Sequence, residues 1–239
     1  MTNLPPRPKG IVERSANFPT AAASIIPIDW TTKGKVGTIK DQGQCGSCWA
    51  FSAVGAIESN VAIKKSAYPV SYSEQQLVDC CFKYGFCNPN GGCKGAWPAN
   101  GLEYVGLKGL TLSVVYPYTS FTGVASACKE DSFTRTRFLK APYYNEIPSS
   151  SIAKKLQSGP LSVCVDGSKW NDYGSGVLKC SPAVKLNHAA VLVGVDSNGT
   201  WKLRNSWGTS WGENGYIRVS GDPSYNCGIT EYASFPILA

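Results

Sequence analysis

Apolar residues recur with helical spacing between positions 48 and 65. Ala50, Val54, Ile57 and Val61 form one stripe, and Lys64 and Lys65 close the run, where cations suit a helix C-terminus. The pattern predicts one long, mostly buried helix. Ser73 and Gln76 have capping-box spacing ahead of Leu77 and Val78, which predicts a second helix. A third, short helix is expected over Ser150 to Gln157, stopped by Gly159-Pro160. Residues 80–98, rich in Cys, Gly, Asn and Pro, read as a loop pinned by disulfides. The period then changes. Leu161–Val165, Ala189–Val195, Trp201–Leu203 and Tyr216–Val219 are short apolar runs bounded by Gly, Asn, Asp and Ser, and they read as strands. A helical first half followed by a β-rich second half predicts an α+β chain in two lobes.

Composition narrows the functional classes. The chain has 239 residues, 43% hydrophobic and 16% charged, enough for a packed core. The net charge of +7 is spread along the chain without a run of like charges, which gives a nucleic-acid role little support. No apolar stretch is long enough to predict a membrane span. Met1 to Gly10 lacks the apolar run of a signal peptide, and the segment 1–25, rich in Pro, Ser, Thr and Ala, reads as an extended arm. Ten cysteines are many for a reducing compartment and point to structural bridges in an oxidising one. A single His, His188, excludes zinc sites built on His pairs. Only Cys45 and Cys48 have Cys-x-x-Cys spacing, and no second pair answers them, so neither a metal nor a cofactor is expected. Taken alone, that pair fits three readings: a dithiol redox motif, a short disulfide, or a bridge cysteine beside a reactive one.

The string around the pair discriminates. Asp41-Gln42-Gly43-Gln44-Cys45-Gly46-Ser47-Cys48-Trp49-Ala50-Phe51-Ser52 is followed far downstream by His188 and then by Asn205-Ser206-Trp207-Gly208-Thr209-Ser210-Trp211-Gly212-Glu213-Asn214-Gly215-Tyr216. These three motifs, in this order, resemble the papain-like cysteine protease family, in the endopeptidase branch typified by cathepsin L. The resemblance runs from about Ile26 to the C-terminus. It implies a two-lobe fold over 26–239, with a helical left lobe over roughly 35–130, a β-barrel-like right lobe over roughly 131–239, and the active site in the cleft between them. It also implies that 1–25 is the remnant of a prosegment, extended and able to run along the cleft. The chain has no second His for the occluding loop of a cathepsin B-like carboxydipeptidase, which favours endopeptidase action.

The same resemblance assigns roles. Cys48, at the start of the long helix, would be the nucleophile, because only a thiolate attacks efficiently and a helix N-terminus favours negative charge. His188 would pair with it as imidazolium and later protonate the leaving amine. Asn205 would orient the ring, with Trp207 covering that bond from water. The Gln42 amide and the Cys48 backbone N–H would stabilise the oxyanion. Substrate would be bound by Gly46, Gly95, Ala96, Trp97 and Pro98 on one side of the cleft. Cys164, Leu186, Asn187, Ala189 and Tyr232 would face them, with Tyr232 closing an apolar pocket. Ala96 stands where the family usually carries Gly. Disulfides are implied between Cys45 and Cys93, Cys80 and Cys128, and Cys180 and Cys227. Cys81 and Cys87 depart from the common pattern and either form a fourth bridge or exchange roles with Cys80. Implied partners are protein and peptide substrates, the chain's own prosegment as inhibitor, and cystatin-like inhibitors, in a monomer with a lysosomal, vacuolar or secreted home. A catalytically silent family member and a Cys45–Cys48 dithiol oxidoreductase are the rival readings, and the second requires Cys45 to be unbridged to Cys93.

One local conflict remains. Asn198-Gly199 is a strong two-residue hairpin signal, but a tight turn there would set Asn205 opposite Leu192 and away from His188. A longer loop or a bulge over 196–200 is therefore expected. Asn198 also begins the one N-glycosylation sequon, Asn198-Gly199-Thr200.

Overall fold

The computed structural model describes residues 26–85, 87, 92–181 and 184–239. The expectations for segment 1–25 lie outside the described residues. The long helix α1 runs over Cys48–Lys64, and every residue from Cys48 to Ala62 is buried. It is apolar nearly all round because it forms the spine between the two halves of the molecule. Helix α2, Glu74–Cys80, starts as expected, with the Ser73 hydroxyl accepting from Gln76 N at 3.0 Å. The reciprocal half of the capping box is absent. The Gln76 amide instead donates to Tyr104 Oη and Gly109 O and accepts from Thr111 N, stitching α2 to the chain beyond the next helix.

That next helix, α3 over Pro98–Lys108, is absent from the expectations. Its local signals are Pro98 at the first position, Asn100 Oδ1 accepting from Trp97 N at 3.1 Å, and Gly109 at φ 76° beyond the end. The Gly and Cys around it masked the pattern. The short helix expected near Ser150 forms only as α4, Ile152–Leu156, preceded by a 3-10 turn over Ser149–Ser151.

The β half is one sheet. Its strands are β1 (Ile28–Asp29), β2 (Leu139–Glu146), β3 (Leu161–Val165), β4 (Val177–Leu178), β5 (His188–Val195), β6 (Trp201–Arg204), β7 (Tyr216–Val219) and β8 (Ala233–Leu238). They lie in the order β2-β8-β3-β5-β6-β7-β4, with β1 on β5. The four expected strands are present within one residue at each end. β2 and β8 were not expected, since Pro142 and Pro236 break their apolar runs.

The β5–β6 connection is the longer loop expected in place of a tight hairpin. Asp196 Oδ1 accepts from Asn198 N and Thr200 N, and Asp196 N donates to Thr200 O, so the turn is a longer loop. The bulge lies inside β5, between Leu192 and Gly194, and not at 196–200. Val191 pairs with Arg204, so His188 and Asn205 are not directly opposed. They are diagonal neighbours on one face, a separation that side chains bridge.

Two cores result. One gathers α1, α2 and α3 around Trp49, Leu77, Leu102 and Tyr104. The other fills the sheet around Trp170, Leu161, Leu192 and Ile217. Where they meet, Gly55 of α1 packs so closely that a Cβ there would lie 2.4 Å from Arg204 Nη2. Ser52 Oγ donates to Ala190 O at 2.6 Å. Buried charges sit on the same seam: Lys40 Nζ lies 2.7 Å from Glu58 and 2.6 Å from Glu74, and Arg204 lies 3.6 Å from Glu58. Removing Glu58 leaves the buried Arg204 short of a counter-charge and the half-buried Lys40 with Glu74 alone, so Glu58→Ala is expected to destabilise the fold by about 3–5 kcal/mol. Urea unfolding followed by tryptophan fluorescence measures it.

Burial pushes the Glu74 carboxyl up to about 7 despite Lys40. An acid with a raised folded pKa contributes stability that is fully present below its ordinary value of 4.5 and lost as pH rises through about 7. Between those two pH values, the wild type should lose more stability than Glu74→Gln.

Candidate active site

Cys48 is the first residue of α1 and His188 the first residue of β5. Ser52, one turn into the helix, is tied to Ala190 O, and the Ala189 amide is the backbone group that most favours the Cys48 thiolate. The two elements therefore begin side by side. Cys48 and His188 line one cavity of about 410 Å³, together with Gln42, Gly46, Asn187 and Trp207. Asn171, which the motifs did not point to, joins that wall. A cavity of similar size, about 460 Å³ against β1 and β7, is lined by no thiol or imidazole.

His188 Nε2 lies 2.7 Å from Asn205 Oδ1. A carbonyl oxygen only accepts, so Nε2 carries the proton and Nδ1 is left with the lone pair in the neutral ring. Trp207 packs against the imidazole with ring centroids 4.8 Å apart. The edge of Trp170 meets it at 5.3 Å, and Trp211 donates from Nε1 to Trp170 O. Trp170 had no signal in the motifs.

Gln42 is held from the sheet side. Its N donates to Ser206 O at 2.9 Å, and Ser206 Oγ donates to Gln42 Oε1 at 2.6 Å. One Nε2 hydrogen goes to Cys45 O at 2.8 Å, which leaves the second for a guest in the cavity. Asn187 is engaged in structure: its Oδ1 accepts from Gly167 N and its Nδ2 donates to Ser168 Oγ.

The remaining expected binding residues do not line the cavity. Ala96, Trp97, Cys164, Ala189 and Tyr232 pack in the same buried cluster as Cys48, with Leu186 against it, and Gly95 and Pro98 are buried beside them. The Trp97 and Tyr232 rings meet at 4.7 Å. These residues form a packed seam between the lobes. Asn198 is exposed in its turn.

Disulfides join Cys45–Cys93, Cys80–Cys128, Cys81–Cys87 and Cys180–Cys227, leaving Cys48 and Cys164 unbridged. The three long loops are worth ~4 kcal/mol each in the chain-entropy account. The Cys45–Cys93 bridge removes the dithiol oxidoreductase reading, because Cys45 is not available to Cys48.

The electrostatics oppose charge separation in one respect. Burial pushes the Cys48 thiol up to about 11, against the N–H groups of Ala189, Trp49 and Cys48 itself. Burial also pushes the His188 imidazole down to about 4, against its bond to Asn205. Both directions favour the neutral thiol and imidazole. A thiolate–imidazolium pair therefore depends on attraction between the charges it creates, about 4 kcal/mol for unit charges ~4 Å apart near a protein surface.

The two lobes thus bring an unbridged cysteine at a helix N-terminus and an Asn-bonded imidazole into one cavity. The family model "Papain family cysteine protease" matches residues 26–237. Cathepsin L 2 of Paramecium tetraurelia is 43% identical over 228 residues, covering 94% of this chain and 67% of that protein. Digestive cysteine proteinase 2 of Homarus americanus is 40% identical over 224 residues, covering 88% of this chain and 66% of that protein. Among solved structures, the bromelain protease from Ananas comosus in complex with the E64 inhibitor aligns with a TM-score of 0.76 at 35% identity, covering 89% of this chain and 99% of that one. Digestive procathepsin L 3 of Tenebrio molitor larval midgut aligns with a TM-score of 0.79 at 34% identity, covering 92% and 72%. The chain belongs to the papain family of cysteine proteases and is a cathepsin L-like cysteine endopeptidase. It spans about two thirds of the length of the curated relatives named here. No helix among the described residues is long and apolar enough to cross a membrane.

If the imidazole shares the thiol's proton, removing it leaves burial to act alone. In His188→Ala the pH step for Cys48 alkylation by iodoacetamide should move to the alkaline side of the wild-type step. Superimposable profiles would show that the two groups do not share a proton.

Proposed function

We propose that peptide hydrolysis runs through Cys48 and His188, with Asn205 holding the ring and Gln42 and the Cys48 N–H receiving the oxyanion. The Sγ proton moves to Nδ1, and the sulfur attacks the scissile carbonyl carbon. The carbonyl π pair becomes an oxyanion, held by the second Nε2 hydrogen of Gln42 and the Cys48 amide. As the tetrahedral species collapses, the C–N bond breaks and the imidazolium gives its proton to the departing amine. A thioester remains. Water, losing its proton to His188, then attacks it and releases the acid and the free thiol. The observation that carries this reading is the 2.7 Å bond from His188 Nε2 to Asn205 Oδ1, which leaves Nδ1 as the acceptor in the cavity that also holds the thiol.

An extended substrate would lie along Gly46 and Gly95–Ala96, using backbone hydrogen bonds. Its second residue before the scissile bond would sit against the seam that Trp97 and Tyr232 close, with Cys164, Leu186 and Ala189 behind them. The apolar rings that close that seam support a preference for medium apolar side chains. The four disulfides support an oxidising home, lysosomal, vacuolar or secreted. Inhibition by its own prosegment and by cystatin-like proteins, and glycosylation at Asn198, follow from the same reading.

Peptide-library cleavage with a thiol reductant tests the assignment. Wild type should cleave and Cys48→Ala should not. Cleavage retained in Cys48→Ala would end the reading. Gln42→Ala should lower kcat about 100-fold, in line with loss of one oxyanion donor. Tyr232→Ala should admit larger residues at the second position before the scissile bond, and an unchanged substrate profile would refute that pocket.

A further inference from the structure

The segment that carries the two oxyanion donors is anchored by a side chain far away in sequence. The Tyr118 hydroxyl lies 2.9 Å from Gln42 O and 2.8 Å from Ser47 Oγ. Its single proton goes to Gln42 O, since a carbonyl only accepts, so Ser47 is the donor in the other bond. Gln42 brings the side-chain donor, and Ser47 immediately precedes the backbone donor at Cys48. One hydroxyl therefore touches both ends of the loop.

The contact also changes how α1 begins. Ser47 is the N-cap residue, where a serine hydroxyl ordinarily accepts from an amide two or three positions on. Here it makes no such bond. Ala50 N and Phe51 N turn to Ser47 O instead, at 2.8 and 3.2 Å. With its hydroxyl turned to Tyr118, Ser47 leaves the Trp49 amide uncapped beside Cys48.

Tyr118 is itself held. The rings of Phe51 and Phe121 meet it edge-on, each with centroids 4.9 Å away. Burial pushes its phenol up to about 12, against the Ser47 bond, so it stays a donor through the neutral range. The chain just beyond it supports the same loop. Gln44 N donates to Phe121 O at 2.8 Å, and Gly43, at φ 58°, leaves room that a Cβ would lose by coming 2.4 Å from Phe121 O. Ser206 holds Gln42 from the other lobe.

We propose that Tyr118 is a positioning residue for the transition state: its hydroxyl sets the spacing and direction of the Gln42 and Cys48 donors, and so governs oxyanion stabilisation without setting substrate affinity or thiol reactivity. The proposal rests on the reading of Gln42 and Cys48 N–H as oxyanion donors given above.

Tyr118→Phe keeps the ring contacts and removes only the hydroxyl. It should lower kcat about 10- to 100-fold while KM stays within about twofold. Affinity for a peptide aldehyde, whose adduct with the thiol is tetrahedral and oxyanionic, should fall by a similar factor. Alkylation by iodoacetamide, in which sulfur displaces iodide and no oxyanion forms, should change less than about twofold. Ser47→Ala should show the same pattern at smaller size, and it decides the matter if Tyr118→Phe does not fold. The proposal is overturned if kcat and aldehyde affinity stay within about twofold of wild type, or if alkylation falls by the same factor as kcat. Gln42→Ala run in parallel separates two failures. If Gln42→Ala is unimpaired, the oxyanion reading itself is wrong. If Gln42→Ala is impaired and Tyr118→Phe is not, only the role of Tyr118 is wrong.

Discussion

The close approach of α1 to β5 is the constraint on which the site depends. A helix from one lobe and a strand from the other start side by side, so their first residues, Cys48 and His188, share a cavity. The approach is possible because Gly55 has no side chain to strike Arg204. It is kept in register by the Ser52 hydroxyl on Ala190 O. Shifting the helix by one turn, about 5.4 Å, would carry the thiol out of reach of the Ala189 amide. Packing, rather than any local motif, brings the Cys48 thiol and the His188 ring into one cavity.

That same packing has an electrostatic cost. Burial disfavours both the thiolate and the imidazolium, and it also encloses Glu58, Glu74, Lys40 and Arg204 on the seam. The molecule answers the two problems differently. The seam groups face one another directly, with Glu58 between Lys40 and Arg204 and Glu74 against Lys40. The reactive pair is served by dipoles: N–H groups of Ala189, Trp49 and Cys48 at the sulfur, and the Asn205 carbonyl at the ring. Fixed dipoles need no reorganisation when charge develops, which suits groups whose charge must come and go during turnover.

The loop from Gln42 to Cys48 shows how lobes and site are coupled. Ser206 holds it from the sheet side, Tyr118 and Phe121 from the helical side, and the Cys45–Cys93 bridge from the 3-10 turn that precedes α3. Each anchor is far from the others in sequence, and together they leave few ways for the loop to move. The Trp97–Tyr232 contact closes the seam on the other side of Cys48 in the same manner, one ring from each lobe.

The residues that meet in the cavity could be picked out from the chain alone by their types: one thiol in a distinctive string, one imidazole, and an amide in a Trp-Gly context. So were α1, the start of α2 and the four central strands, whose apolar runs are long or unbroken. What sequence could not settle has a common cause, because it depends on residues distant along the chain. α3 was hidden among Cys and Gly, and β2 and β8 were broken by Pro142 and Pro236 yet still pair with each other across the molecule. Local turn chemistry placed the β5–β6 irregularity in the loop, but the bulge falls inside β5, where β1 and β3 also pair. Tyr118 carries no signal of its own, and its meaning appears only when Gln42 and Ser47 are folded against it. Residue identity determines which bonds can be made and broken, whereas the direction in which a donor points is a property of the packed backbone, and only the tertiary structure decides it.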